Sequence, residues 1–320
     1  MSLAVLIGSV GLRPGDVASV LQNHLLGGSR PVSEVNDYIV WQLRVPRVLL
    51  AVVVGAGLAL AGAVLQATVR NPLADPYLLG VSAGAGLLAA ITITFGAAAV
   101  AGLSTSGAAF VGALASTVMV LFLARQEGRF TPTRLILAGV TMSYLLSGLT
   151  SFVILRGGDP EAAQSILFWM LGSLASASWS TLLIPTMVVA LGGGYLLCHA
   201  RALNAMVLGD DGALSLGVAI HRLRTRLLIM TSLVTGVLVA VAGGIGFVGL
   251  VIPHLVRILF GPDHQRLLPM TMLVGAIYLV VVDVLCRVSI RPEEIPVGVV
   301  TSVLGAPVFL WLMRKSGAGR

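Results

Sequence analysis

Two arginines sit where physical rules disfavour them and a third lies beside a lone acid in an apolar stretch, which makes the three the first candidates for a functional role. Arg44-Val45-Pro46-Arg47 opens a long apolar stretch. Pro46 suits the first turn of a helix, where its missing N–H costs nothing. The arginines do not, because a helix N-terminus carries partial positive charge and disfavours each nearby cation by about 0.3–1 kcal/mol. Two roles fit such a pair: exposed cations awaiting an anionic partner, or side chains snorkelling to lipid headgroups. Arg287 follows Asp283 by four residues, the spacing of a local salt bridge on a helix. Asp283 is also the only acid deep in an apolar stretch, the kind of group a proton- or sodium-coupled carrier uses. Arg287 would neutralise it, and no second buried acid offers a relay.

Catalytic chemistry has no footing elsewhere. His24, His199, His221, His254 and His264 form no i,i+4 pair, and neither HExxH nor GxSxG occurs. Cys198 and Cys286 fit no metal-ligand spacing and fall at opposite membrane faces, too far apart for a disulfide. Of the 20 basic residues only Lys315 is a lysine, and no GxxxxGK[ST] phosphate loop exists. The chain reads as a non-enzyme without metal or bound cofactor. Any ATP and magnesium it depends on must be held by another chain.

The elements that position these residues follow from composition. In 320 residues, 57% are hydrophobic and 10% charged, with a mean hydropathy of +0.99. Ordinary globular chains have about 45–50% and 25%, so this is an integral, all-α, polytopic membrane protein. Apolar stretches of spanning length, about 20 residues, lie near 45–68, 77–100, 107–124, 134–155, 179–198, 227–243, 267–286 and 296–313. A shorter one at 245–260 is kinked by Pro253. Residues 1–11 read as the last half of a first helix, truncated at its start, which predicts ten spans. With both termini in the cytoplasm, 13 basic residues lie inside and 7 outside, leaving inner segments at +8 and outer ones neutral. That asymmetry explains the basic pI without a nucleic-acid partner and places the chain in a cytoplasmic (inner) membrane.

A single domain, 1–320, is expected, with repeat halves near 45–155 and 227–313. Gly55, Ala59, Ala61, Gly62, Pro72, Leu78 and Gly80 match residues 181 positions later, with Gly62-to-Pro72 and Gly243-to-Pro253 equally spaced. Either an inverted-topology repeat or a shared need for close helix packing accounts for this. The cytoplasmic segment 199–226 holds a short apolar element bounded by Gly209 and Gly217. Asp210 or Asp211 is placed to cap it, and Ala213 and Leu216 form its apolar side. Arg70-Asn71-Pro72-Leu73-Ala74-Asp75-Pro76 is a turn whose two prolines forbid a straight helix.

Four motifs in order, RVPRVLLAVVVGAGLALAGAVLQATVRNPLADPYLLGVSAGAG, LNAMVLGDDGALSLGV, GGIGFVGLVIPHLVRILFGPDHQRLLP and EIPVGVVTSVLGAPVFLWLMRK, resemble the FecCD family over essentially the whole chain. These are permease subunits of ATP-driven importers for iron–siderophore chelates, haem and vitamin B12. The resemblance implies the ABC type II importer permease fold and a homodimer or close-paralogue dimer in the lipid bilayer. It also implies two cytosolic ATPase subunits and an extracytoplasmic substrate-binding protein. It assigns Arg44, Arg47 and Arg287 to docking of the binding protein. Gly209, Asp210, Asp211, Ala213, Leu216 and Gly217 fall to ATPase coupling, and Asn71, Leu73, Thr131 and Thr133 to a cytoplasmic gate. The expected cargo is an iron–siderophore or haem, with cobalamin as the alternative; a secondary transporter is the rival from another class.

Overall fold

The computed structural model describes residues 2–8, 10–28, 30–126, 129–217, 219–290 and 293–317. Glu127, Arg291 and Arg320, counted in the charge asymmetry above, lie outside the described residues. The chain begins with α1 (Ser2–Leu6), α2 (Pro14–Leu26) and α3 (Glu34–Asp37), and a π-helical turn, Tyr38–Arg44, leads into α4 (Val45–Val69). Then come α5 (Val81–Phe95), α6 (Thr105–Ala124), α7 (Pro132–Gly157), α8 (Pro160–Leu171) and α9 (Trp179–Cys198). The short α10 (Ala200–Val207) and α11 (Asp210–Ser215) precede α12 (Ile220–Ala242), α13 (Val248–Phe260), α14 (His264–Val288) and α15 (Val297–Gly317). A two-residue β-ladder pairs Arg125–Gln126 with Arg129–Phe130.

Among the described residues, six helical stretches are long and apolar enough to cross a membrane: those ending in α4 and α6, and α7, α9, α12 and α14. Three shorter apolar helices, α5, α13 and α15, match the other expected spans. The count of ten is not reached, because α1 is only five residues long. The stretch 77–100 is shortened at both ends. Pro76–Leu79 forms a 3₁₀ turn capped by the Asp75 carboxylate, Gly80 takes a left-handed φ of 72°, and α5 stops at Phe95. The helix α8 was not foreseen; Pro160 stands at its first position and the Asp159 carboxylate accepts the Glu161 N–H.

α4 is the axis of the fold, packing on α14, α12, α13, α9 and α10. Its middle is glycine and alanine, so neighbouring backbones come to contact distance, as small residues permit between membrane helices. A Cβ at Gly62 would collide with the Gly249 carbonyl of α13, and one at Gly55 with the Gly275 carbonyl of α14. Gly84 and Gly112 bring α5 and α6 together in the same reciprocal way. The repeat at offset 181 does not carry into local structure. Gly62 lies inside α4 whereas Gly243 ends α12 at φ 69°, and Pro72 sits in a turn whereas Pro253 lies inside α13.

The packing yields a direct test. Gly62→Val should lower the thermal midpoint of the detergent-solubilised protein by an amount equivalent to about 1–3 kcal/mol of overpacking or more. Gly194→Ala, where a Cβ meets nothing within 4 Å, should leave it unchanged, both followed by thermal-shift fluorescence.

Candidate functional site

At its N-terminal end, α4 begins in a knot of charges. Arg44 closes the π-helical turn and is only 6% exposed. Its guanidinium donates to the carbonyls of Val5 at 3.0 Å, Leu6 at 2.8 Å and Val10, and lies over Gly8, where a Cβ would meet Cζ at 2.7 Å. Arg287, 3% exposed, donates to the Ile7 carbonyl at 2.7 Å and the Ala4 carbonyl at 3.0 Å. The last carbonyls of α1 have no partner within their helix. Two cations, from the π-helical turn before α4 and from α14, satisfy them, at the end of a helix where positive charge is favoured. Arg44, expected with Arg47 as one of a pair of exposed cations, is instead buried, and together with Arg287 it is an inward-facing clamp on the N-terminal segment.

Arg47 is also engaged. Its Nε lies 2.8 Å from Asp283 Oδ1 and its Nη1 2.7 Å from Glu294 Oε2, with a side-chain exposure of 11%. The Asp283–Arg287 pair predicted from i,i+4 spacing forms at 3.1 Å. Each Asp283 oxygen thus faces an arginine from a different helix. The carboxylate serves as an ion-pair bridge between α4 and α14, with Oδ1 bonded to Arg47 and Oδ2 in charge contact with Arg287 but buried without a hydrogen bond. Glu294, at 31%, is the exposed rim of this cluster.

The other end of α4 is built around a turn. Arg70 caps the helix in the left-handed region at φ 52°, a conformation costing a non-glycine residue about 1–2 kcal/mol. Asn71 Oδ1 accepts the Leu73 N–H at 2.9 Å, and Asp75 Oδ1 accepts the Tyr77 N–H at 2.8 Å. The Tyr77 hydroxyl donates to the Ile245 carbonyl at 2.9 Å and accepts the Ile245 N–H at 2.8 Å. One tyrosine thereby joins this turn to the break between α12 and α13. Phe247 starts α13 at φ 66°. Gln66 continues the seam, donating to the Gly249 and Leu250 carbonyls and accepting from Arg257.

Beside this seam runs a groove of about 610 Å³, lined chiefly by Leu73, Tyr77, Leu78, Val140, Tyr144 and Phe247. The four residues expected at a gate are divided by the structure. Leu73, 45% exposed, lines the groove, and Asn71 fixes the backbone on which it sits. Thr131 instead borders a small crevice with Thr68, Val69 and Arg224, and Thr133 lines neither space. The reason is local: Thr131 precedes Pro132 at the first turn of α7, one end away from the groove wall at Val140–Ser147. Tyr77, Tyr144 and Phe247 went unnoticed in the sequence. The aromatic after Asp75-Pro76 and the glycines before Phe247 were the available signals.

The segment 199–226 forms the expected short element. Gly209 at φ 102° and Gly217 at φ 77° bound α11, so both hinges use a conformation that glycine adopts without steric cost. Ala213 is buried against Ala205 and Ile220, while Leu214 at 53% and Leu216 at 64% stand exposed. Capping by an aspartate is corrected: Gly209 occupies the N-cap position without a side-chain bond. The Asp210 carboxylate turns to Arg70 at 2.9 Å and Arg224 at 3.0 Å. Partial burial works to raise its pKa, but the Arg224 hydrogen bond and charge, with Arg70 and His221, hold it below the usual carboxylate range. Asp211 is exposed, on the solvent side of α11.

The chain is similar to known membrane permeases. The model of the FecCD transport family matches residues 1–315. The cobalamin import system permease protein BtuC of Halobacterium salinarum is 40% identical over 88% of this chain and 75% of its own. The vitamin B12 import system permease protein BtuC of Salmonella arizonae is 40% identical over 89% of this chain and 85% of its own. The uncharacterized ABC transporter permease protein YvrB of Bacillus subtilis is 40% identical over 99% and 91%. A solved inward-facing metal-chelate type ABC transporter superposes with a TM-score of 0.81 at 34% identity, covering 94% of this chain and 98% of that one.

The clamp at the start of α4 predicts a local phenotype. Arg44→Ala removes charge-assisted hydrogen bonds worth about 1.5–3 kcal/mol each at most, and should expose the first 30 residues to limited proteolysis. Arg13→Ala, outside the clamp, should leave the cleavage rate unchanged. Asp283→Ala leaves Arg287 buried without a carboxylate and Arg47 with Glu294 alone, and should destabilise the whole fold by about 3–5 kcal/mol, read as a fall in thermal midpoint.

Proposed function

This chain belongs to the FecCD transport family, and we propose that it is the membrane-spanning subunit of an ATP-driven importer of a bulky metal chelate. The observation that carries the reading is the pairing, at one end of α4, of an apolar groove beside Leu73 with the glycine-hinged α11. A wide apolar wall suits a large chelate delivered by its own carrier. A hinged helix with exposed Leu214 and Leu216 suits a groove on a soluble motor subunit. Two such permeases facing one another would enclose a single pathway, with two cytosolic ATPases below and a substrate-binding protein outside.

Cobalamin is the cargo to test first, because two of the relatives above carry that substrate in their names. A ferric siderophore or haem is the second reading, favoured by the metal-chelate description of the solved neighbour. Docking of the binding protein falls to Arg47 among the three arginines. Its partner Glu294 is part-exposed, so an incoming carboxylate can exchange with it, and such charge-assisted pairs are strong when partly desolvated. Arg44 and Arg287 act behind it by fixing the N-terminal segment.

Proteoliposomes containing the permease, its ATPase and its binding protein should accumulate labelled cobalamin with ATP inside, and ferric hydroxamate or haem more slowly. ATP-independent accumulation driven by a proton or sodium gradient would refute the proposal. Arg47→Glu should weaken binding-protein docking by at least about tenfold, a loss of 1.4 kcal/mol, while ATPase association is retained; unchanged docking would refute the role of Arg47.

A further inference from the structure

Asp210 ties together three elements that the chain keeps far apart. It is the first residue of α11, and its Oδ1 faces both Arg70, the cap of α4, and Arg224, in the first turns of α12. Arg224 is 4% exposed and is the fixed side of the arrangement, held by a second contact of 3.4 Å to Asp210 Oδ2. Arg70 and Asp210 are both more than a third exposed, so their pair is the adjustable side. A Cβ at Gly209 would stand 3.5 Å from Arg70 Nη1, which places the hinge of α11 against the same side chain.

The backbone of Arg70 gives the pair a direction. A left-handed cap is a position that glycine fills without steric cost, and here it is filled by the longest cation, whose side chain reaches out of the turn to α11. Three residues on is Leu73, on the wall of the groove. Between them, Asn71 locks the turn by accepting the Leu73 N–H, so the turn moves with Arg70 as a unit. Arg70 is therefore joined through its side chain to the hinged helix and through its backbone to the groove.

We propose that Arg70 is a positioning residue whose ion pair with Asp210 carries displacement of α11 to the turn bearing Leu73. This rests on the reading that α11 receives the ATPase. Surface pairs of this kind are individually weak, so the role is geometric linkage, and breaking it should alter coupling while leaving the fold intact.

The test uses the reconstituted complex of permease, ATPase and binding protein, scoring cobalamin taken up per ATP hydrolysed. Arg70→Gln, Arg70→Gly and Asp210→Asn should each lower that ratio about three- to tenfold, within the range of direct pair couplings. Arg70→Lys, which keeps the charge, should restore most of it. The double variant R70Q/D210N should be no worse than the more impaired single one. Arg70→Gly keeps the left-handed backbone at no steric cost, so wild-type coupling in that variant would overturn the proposal by assigning the role to the backbone. Losses that multiply in the double variant would overturn it as well. Copurification of the ATPase separates the two levels of the argument: if even the wild-type permease fails to retain it, the reading of α11 fails, and the proposal with it.

Discussion

Backbone contact along α4 is the constraint from which the rest of the structure follows. Twenty of its 25 residues are buried, an unusual burden for a helix in a bilayer, where neighbours gain little from hiding apolar side chains that lipid would accept equally well. What holds α4 to its neighbours is therefore shape. Glycines at 55 and 62 let α14 and α13 approach until a single added carbon would collide. The contrast with α7 is sharp. There Leu137, Tyr144, Phe152 and Leu155 all point outward, each more than 60% exposed. The molecule thus has a tightly joined centre and an apolar periphery left for lipid, for a second subunit, or for the groove.

Two clusters of matched charge stand at the two ends of α4. At one end of α4, Asp283 is shared by Arg47 and Arg287, and the spare donors of Arg44 and Arg287 go to the open carbonyls of α1. Isolated charges would be very costly in such surroundings, and removal of one partner leaves the other stranded. At the far end, Arg70, Asp210 and Arg224 form a looser group nearer water. The two clusters differ in kind: the first closes the fold, and the second ties a short glycine-bounded helix to it.

Residue type and spacing made the membrane spans legible, and helix α9 lies over the same residues as its expected stretch, 179–198. The hinge glycines were legible for the same reason, since only a few residue types tolerate the backbone they adopt. The fate of the arginines was not. Arg44 and Arg287 are satisfied by carbonyls of Ala4, Val5, Leu6, Ile7 and Val10, and a carbonyl carries no residue identity from which a pairing can be read. Asp210 misled in a related way. Its place at the start of a short helix suggested a cap, but two cations outcompeted a backbone N–H for its carboxylate. Thr131 and Thr133 lie at the start of α7, one end away from the groove wall at Val140–Ser147, and that distance along the helix could not be read from residue type.

If backbone contact is what holds α4 to its neighbours, α4 and the helices packed on it should move as one body, and the groove wall carried by α7 should move against them. Spin labels at Leu191 of α9 and Ile277 of α14, both exposed and both on helices that pack on α4, report the first part. Labels at Leu137 of α7 and Leu259 of α13 report the second. When the ATPase partner binds ATP, the 191–277 distance within a subunit should stay constant and the 137–259 distance should change. A shift in the first distance equal to that in the second would contradict the account.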